Sequence, residues 1–305
     1  MYYKKKAFAF SITMWIIASL LFATVVILRF AKDEVHLSIG LNNKLQTQMR
    51  AESVLEALKF YIPTADYTSI SLKSNLLSEL IYPFPSEIIA DGREYNLTEE
   101  ITLSLKDTSA MLNVMYTPSE IIAKALSSQK NEELSYVLKD SLEDWRDIDT
   151  MAKINGAEQN TYRTLGQKIA VRNTKAIQSI YELKLIYGYK DVDFKDIKSN
   201  LYYGQGSSIN LMLISNKRYL AFLLGVDENF ILKMLELRKV DPLLFIKNLD
   251  TLPKYDDESM GFGLSKQFLI SIKVRKGRAM SVLNTIISFN ELNDKPYITV
   301  SYSIN

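Results

Sequence analysis

The feature that most constrains this chain lies at its start. Lys4, Lys5 and Lys6 precede a run from Ala7 to Leu28 that carries no charge and is dense in Trp15, Ile16, Ile17, Leu20, Leu21, Phe22, Val25, Val26 and Ile27. As an α-helix this run is about 33 Å long, enough to cross the hydrocarbon core of a bilayer. Lysines before it and mixed charge after it place the N-terminus in the cytoplasm and the remainder on the far side. A cleaved secretory peptide would be shorter and end in small residues, whereas this run ends in Leu28-Arg29-Phe30. A plain signal anchor fits the same residues.

The helical pattern continues past the apolar run. Val35, Ile39, Leu41, Leu45, Met49, Leu55, Leu58 and Ile62 recur near spacings of three and four, apart from one wider gap. Asn42, Lys44, Gln46, Gln48, Arg50, Glu52 and Glu56 lie between them. This predicts an amphipathic helix that stops near Pro63. One helix over 8–62 would therefore start in lipid and end against a globular part.

The rest of the 305 residues is long enough to bury a large core. A net charge of +2 argues against a strongly basic nucleic-acid binder. Without cysteine there are no disulfides and no thiolate sites. With His36 as the single histidine, a multi-histidine zinc site is excluded, and so is any Ser-His-Asp triad that does not use it. His36 reads as an ordinary polar position on the helix just outside the membrane.

Beyond Pro63 the pattern turns to strands, then helices, then strands. Asp91-Gly92 between Ile88-Ile89 and Tyr95 predicts a hairpin, and Ile101, Leu103 and Leu105 alternate as a strand. Thr117-Pro118-Ser119-Glu120 predicts a capped helix start, with Thr117 as cap and Glu120 completing a capping box. Leu134, Val137, Leu138 and Leu142 share a helical face. Ser179-Ile180-Tyr181-Glu182 predicts a second capping box, on a helix ended by Gly188. Asn216–Leu224 and Asp227–Arg238 form a helical pair about Gly225, and Asp241-Pro242 opens another helix. Strands return at Phe268–Val274, Ala279–Phe289 and Ile298–Ile304, with turns at Lys276-Gly277 and Asn293-Asp294-Lys295-Pro296.

Asp144-Trp145-Arg146-Asp147-Ile148-Asp149, followed by Gly156-Ala157-Glu158, is the sharpest local feature. Several carboxylates on a loop are what a hard cation such as calcium requires, although the spacing is not that of an EF-hand. A solvated acidic loop with helix caps accounts for the same residues. Two of these carboxylates at a defined separation would instead suit a hydrolase. Asp256-Asp257-Glu258 reads as a solvated loop. Leu223–Arg238 resembles a helix-hairpin-helix, but Asp227 and Glu228 stand where phosphate would bind and would instead cap the helix.

Several of these segments together resemble one known family. Lys4-Lys5-Lys6-Ala7-Phe8 before an apolar run is similar to a type III prepilin leader, which a prepilin peptidase cuts on the cytoplasmic side. The matching cut falls between Ala7 and Phe8, with Ala7 where glycine is usual. Most pilins carry a glutamate at the fifth mature position; Ile12 stands there. A carboxylate in lipid is costly without a partner charge, and a subunit at a filament tip has no neighbour above it to satisfy. That absence resembles the minor pseudopilins of the general secretion pathway protein K type. So does the D-W-x-D-x-D…G-A-E…Y order of Asp144, Trp145, Asp147, Asp149, Gly156, Ala157, Glu158 and Tyr162, without the family's intervening prolines or its second tyrosine. Further matches are Asp107–Val114 (with Ala110 for glycine), Asn173 through Ser179, Glu182, Leu183 and Gly188, Ile209-Asn210-Leu211 (with Met212 for the family's second asparagine), and Ser265–Phe268.

The resemblance implies an α+β, pilin-like fold: a long N-terminal transmembrane and amphipathic helix, an antiparallel sheet and an inserted all-α domain. The division it suggests is a leader at 1–7, the helix at 8–62, a core at 63–116 with 249–305, and the insertion at 117–248. It implies a non-enzymatic subunit of a type II secretion pseudopilus, in the bacterial inner membrane with its C-terminal part periplasmic. Its expected partners are other minor pseudopilins, the inner-membrane secretion platform and the prepilin peptidase, with no nucleic acid. It further implies calcium on Asp144, Asp147, Asp149 and Glu158. A related DNA-uptake or adhesion pilus is the alternative, with a membrane-anchored hydrolase behind it.

Overall fold

The computed structural model describes residues 2–74, 81–127, 131–171, 177–204, 206, 208–256, 258, 260–289 and 296–305, with side chains from Phe10 onward except Ser11. The expected turn at 293–295, Asn173 and Asp257 lie outside the described residues. So do the side chains of Ala7 and Phe8, although the helix runs through them.

A single helix, α1 (Tyr2–Thr64), spans 63 residues, about 95 Å at the usual rise. It stops where Pro63 withholds its N–H. From Ile12 it contains a window of mean hydropathy 2.2, none of it buried. The amphipathic stripe divides at about Thr47. Val35, Ile39, Leu41, Leu45 and Met49 are all more than half exposed, while Ala51, Val54, Leu55, Leu58 and Ile62 are buried. Helical spacing therefore located the apolar face but did not show where this chain stops covering it.

The inner half of α1 lies on an antiparallel sheet. Short strands β1 (Asp66–Tyr67), β2 (Ser71–Lys73) and β3 (Glu87–Ile89) form a small sheet. The main sheet has the order β10-β9-β8-β5-β4, built from β4 (Asp91–Asn96), β5 (Ile101–Asp107), β8 (Gln267–Lys276), β9 (Ala279–Ser288) and β10 (Ile298–Ile304). Helix α1 packs across β8 and β9. Alternation puts Leu103, Leu105, Ile270, Ile272, Leu283 and Ile287 on the helix side, and all are fully buried there. Each such side chain contributes about 1.5–3 kcal/mol of burial. A buried hydroxyl pair, Thr47 and Ser281 at 2.7 Å, joins α1 to β9. Arg50–Glu100, Lys276–Gln46 and the Tyr302 hydroxyl donating to Glu52 extend that seam.

The second apolar core belongs to the helical block between β5 and β8. There the chain forms β6 (Leu112–Asn113), α2 (Ser119–Leu126), α3 (Glu132–Arg146), α4 (Gln159–Thr164), α5 (Phe194–Asn200), β7 (Leu201–Tyr202), α6 (Lys217–Leu224), α7 (Glu228–Val240) and α8 (Pro242–Leu249). Its cluster runs in sequence from Leu112 to Met260 and includes Trp145, Tyr162, Tyr189 and Phe245. β6 and β7 pair in parallel and close the block's base.

Three sequence expectations take a different local form. Asp91-Gly92 is not a hairpin turn: β3 pairs with β2, β4 pairs with β5, and the chain changes sheets between them. Gly92, at φ +91°, sits in the irregular register between Asp91 and Glu94, so its freedom serves a bulge. At α2 the N-cap is Pro118, without a side-chain cap, and Thr117 does not cap. The Ser179 box opens a 3-10 turn (Glu182–Leu185) rather than an α-helix. The Glu182 carboxylate is committed to the Trp145 indole N–H at 2.8 Å and the Gln178 amide at 2.8 Å. By contrast, Asn216, Asp227 and Asp241 each cap the helix the sequence assigned to them.

Candidate metal centre

The acidic loop is built outward from α3. Asp140 and Asp144 lie one helical turn apart and are both buried. Asp140 accepts from the Asn155 amide at 3.2 Å and its side chain at 3.0 Å. Asp144 accepts from the Lys153 amide at 3.1 Å. Between them they fold the segment after α3 back along the helix. Gly156 is required by space: a Cβ there would come within 2.8 Å of Asp144 Cγ and closer still to its carboxylate oxygen. Behind the loop, Trp145 and Tyr162 meet edge to face with centroids 5.9 Å apart, and the Tyr162 hydroxyl accepts from the Tyr187 amide at 2.9 Å.

The loop held this way brings three carboxylates together. Asp147, Asp149 and Glu158 each offer an oxygen within 4.8 Å of the others. Asp147 is the residue after the last turn of α3, where the helix end is already negative. Glu158 is 3% exposed, and neither of its carboxylate oxygens has a hydrogen-bond partner; Asp147 Oδ1 is also buried and unpartnered. A buried carboxylate normally accepts bonds or meets a charge. Burial is the first cause raising the pKa of Asp147 and of Glu158; the neighbouring carboxylates add to it. Lys153 acts in the opposite sense on Asp147, but its ammonium pairs with Glu143 at 3.4 Å.

Of the four carboxylates the sequence proposed, Asp144 is thus placed differently. It faces the loop's own amides and positions the other three. Asp140 was missed, although its i, i+4 spacing from Asp144 was readable. A hard cation fits the donor set: all oxygen, converging, with orphaned buried lone pairs. Asp147, Asp149 and Glu158 would hold calcium, with backbone carbonyls or water completing the six to eight oxygens it takes.

The other matched motif residues are not at this loop. Asp107, fully buried, accepts from the Ser109 amide at 2.8 Å, the Ser109 hydroxyl, the Ser265 amide at 2.9 Å and the Ser265 hydroxyl at 2.7 Å. Asn113 donates to the carbonyls of Gly204 at 2.9 Å and Gly206 at 2.7 Å. Asn210 donates to the Ser69 carbonyl at 2.7 Å. Asp107 and Ser265 thus join the exit from β5 to the return into β8, Asn113 ties β6 to the 204–206 segment inside the helical block, and Asn210 ties the block to the turn between β1 and β2. His36 is exposed on α1, as read. In the hairpin, Asp227 Oδ1 takes the Asn229 and Phe230 amides at 2.8 and 3.0 Å, so that helix start is already occupied by an acid.

No family model matches the sequence, and no curated protein matches it. A search of solved structures does find likenesses. One chain of the GspK-GspI-GspJ complex from the enterotoxigenic Escherichia coli type 2 secretion system aligns with a TM-score of 0.51. Identity is 16%, over 89% of this chain and 99% of that one. At that identity the likeness speaks for architecture. Its near-full coverage takes in both the helix-on-sheet part and the helical block, and the chain accordingly has an α+β pseudopilin fold.

Proposed function

We propose that this chain is a minor pseudopilin of a type II secretion system, a non-enzymatic subunit that helps initiate the pseudopilus and caps its tip. The observation that carries the reading is α1 itself. Its lipid-length apolar part and its outer apolar stripe are exposed, and its inner half is fused to a sheet bearing a bulky helical block. A free helix of this kind gains by packing against like helices of companion subunits. A broad block beyond the sheet leaves no room for a further subunit above it. In this reading residues 8–62 anchor and assemble, 63–116 with 249–305 form the pilin core, and 117–248 is the cap. The N-terminus is cytoplasmic and the globular part periplasmic. The partners are other minor pseudopilins, the inner-membrane platform and the prepilin peptidase, which removes residues 1–7 before methylation of the new terminus.

Calcium on Asp147, Asp149 and Glu158, with Asp144 shaping the loop, is part of the same proposal. When bound it supplies charge neutralisation, joining the end of α3 to the start of α4. A membrane-anchored hydrolase reading of the carboxylates is weaker, since Glu158 is too deeply buried for a substrate to reach. A DNA-uptake pilus is disfavoured by the acid at the hairpin. The test is intact-mass measurement of the membrane-extracted chain, with and without a co-expressed prepilin peptidase. A product beginning at Phe8 is expected. An unshortened chain under conditions where a control prepilin is cut would reduce the protein to a plain anchor.

A further inference from the structure

The two outer edges of the main sheet differ in chemistry. β4, at one edge, carries Asp91, Arg93 and Glu94; Asp91 pairs with Arg93, Glu94 pairs with Lys273, and Gly92 introduces a bulge. Charges and bulges are how natural sheets stop an edge from pairing with another chain. β10, at the other edge, reads Ile298-Thr299-Val300-Ser301-Tyr302-Ser303-Ile304, with no charge, proline or glycine and a high share of β-branched and aromatic residues. Its one irregularity lies near its start, between Thr299 and Ser301.

Register fixes which backbone groups of β10 face away from β9. Asn305 and Val282 exchange both of their bonds, at 3.0 and 3.1 Å. Alternation then makes Ser303–Asn284 a bonded pair and leaves Tyr302 and Ile304 with N–H and C=O directed away from β9. No described strand lies on that side. Beside this edge, on the sheet face away from α1, is a cavity of about 340 Å³ between the sheet and the helical block. Leu269, Ile286 and Val300 line it from the sheet, and Tyr202 and Tyr203 from the block. Among the described residues of the lining, Lys198 is the charged one. Its ammonium lies over the Tyr181 and Phe194 rings, 5.2 and 5.0 Å from their centroids.

We propose that β10 is a strand-addition site for an extended segment of a partner protein. That segment pairs with the outward groups of Tyr302 and Ile304, sets apolar side chains into the adjoining cavity and brings an acidic residue to Lys198. Main-chain pairing supplies affinity, and alternate side chains, opposite Ser301 and Ser303, supply selectivity. The acidic requirement follows from Lys198, the charged residue among the described residues of the lining. The surface is separate from the exposed stripe of α1 and from the carboxylate loop, so it stands whether or not the chain works in secretion.

The experiment uses the full chain in detergent micelles and a fluorescein-labelled peptide, Glu-Val-Thr-Val-Thr-Val-Thr, read by anisotropy. Two further peptides carry N-methyl groups on alternate residues, so that each loses the donors of one edge only. The expected result is saturable binding that one N-methylated form keeps and the other loses by about tenfold or more. Binding should slow hydrogen exchange at Tyr302 and Ile304. Ile304→Pro removes an outward donor without touching the β9 ladder and should weaken binding by about tenfold. Lys198→Glu, an exposed change that leaves the sheet intact, should weaken it severalfold. Absence of binding at millimolar peptide, equal loss with both N-methylated forms, or indifference to both variants overturns the proposal. A dimer in sedimentation that Ile304→Pro dissolves also overturns it, assigning the edge to a second copy.

Discussion

Replacing Gly156 by alanine tests how the carboxylate loop is built. The new methyl would need the space that Asp144 occupies, at 2.8 Å from its Cγ, and the Asp140 carbonyl lies at 3.2 Å on another side. Neither neighbour yields cheaply. Asp144 is a short side chain fixed on α3 and fully buried, and the Asp140 carbonyl belongs to the helix backbone. Swinging the Asp144 carboxylate away strands the Lys153 amide that it accepts at 3.1 Å, together with the Ala157 amide that also stabilises its charge. Each stranded donor costs about 1–3 kcal/mol, against which alanine recovers about 0.4–1 kcal/mol of unfolded-state entropy. The net loss is about 1–5 kcal/mol, or about 3–20 °C in Tm for the helical block. It should be read by thermal unfolding of the full chain in detergent, first in EDTA and then in calcium. Calcium should raise Tm in the wild type and do so far less in the variant, because Asp147 and Glu158 no longer converge. Gly166→Ala is the control: Gly166 has φ +70° but open space around it, so the change costs about 1 kcal/mol and leaves the calcium response intact. A Gly156→Ala protein that melts with the wild type and keeps its calcium shift would refute the packing argument.

Two further outcomes follow from the same geometry. Burial, reinforced by neighbouring carboxylates, raises the folded-state pKa of Asp144, Asp147 and Glu158 above their ordinary values. A raised pKa means that the folded state binds protons first, so this contribution to stability is complete below the unfolded pKa and is lost as pH rises through the folded one. In EDTA the chain should therefore melt higher near pH 4–5 than at pH 7, with a smaller difference in Glu158→Gln and in calcium, as thermal melts across pH would show. At the seam, Asp107→Ala strands two amides and two hydroxyls in a buried site. It should cost about 3–5 kcal/mol in urea unfolding, and Asp107→Asn, which keeps an acceptor, should cost less.

How far the sequence could be read depended on whether a signal was local. The apolar run, the caps at Asn216, Asp227 and Asp241, and the alternating strands β5, β8 and β9 are all written within a few neighbouring residues. The bulge at Gly92 was misread because Asp-Gly suits a tight hairpin as well as a strand that changes sheets; partner choice, decided by β2 and β5 elsewhere in the chain, settles between them. β1, β2, β6 and β7 are too short to show a period. At the carboxylate loop the spacing gave the cluster but not the division of labour. Which acid faces the loop amides depends on the turn of α3, and that Asp140 belongs with Asp144 becomes evident only once residues 153–156 fold back on them.

The remaining motif residues teach a different lesson about polar side chains. Asp107, Asn113, Asn210 and Ser265 are short and polar and recur in an order that resembles a family, the usual marks of a reactive site. Each instead has its oxygen or amide committed to backbone groups: Asp107 and Ser265 where the chain leaves β5 and re-enters β8, Asn113 inside the helical block, and Asn210 from the block to the turn between β1 and β2. Where a chain leaves one core for another, it cannot continue a helix or a sheet ladder, and its backbone groups are buried without regular partners. Short side chains that both donate and accept are the economical way to satisfy them. An insertion into a sheet protein thus needs a polar hinge of this kind at its exit and its return. Those positions would have to hold their chemistry even while the surfaces of both parts changed freely.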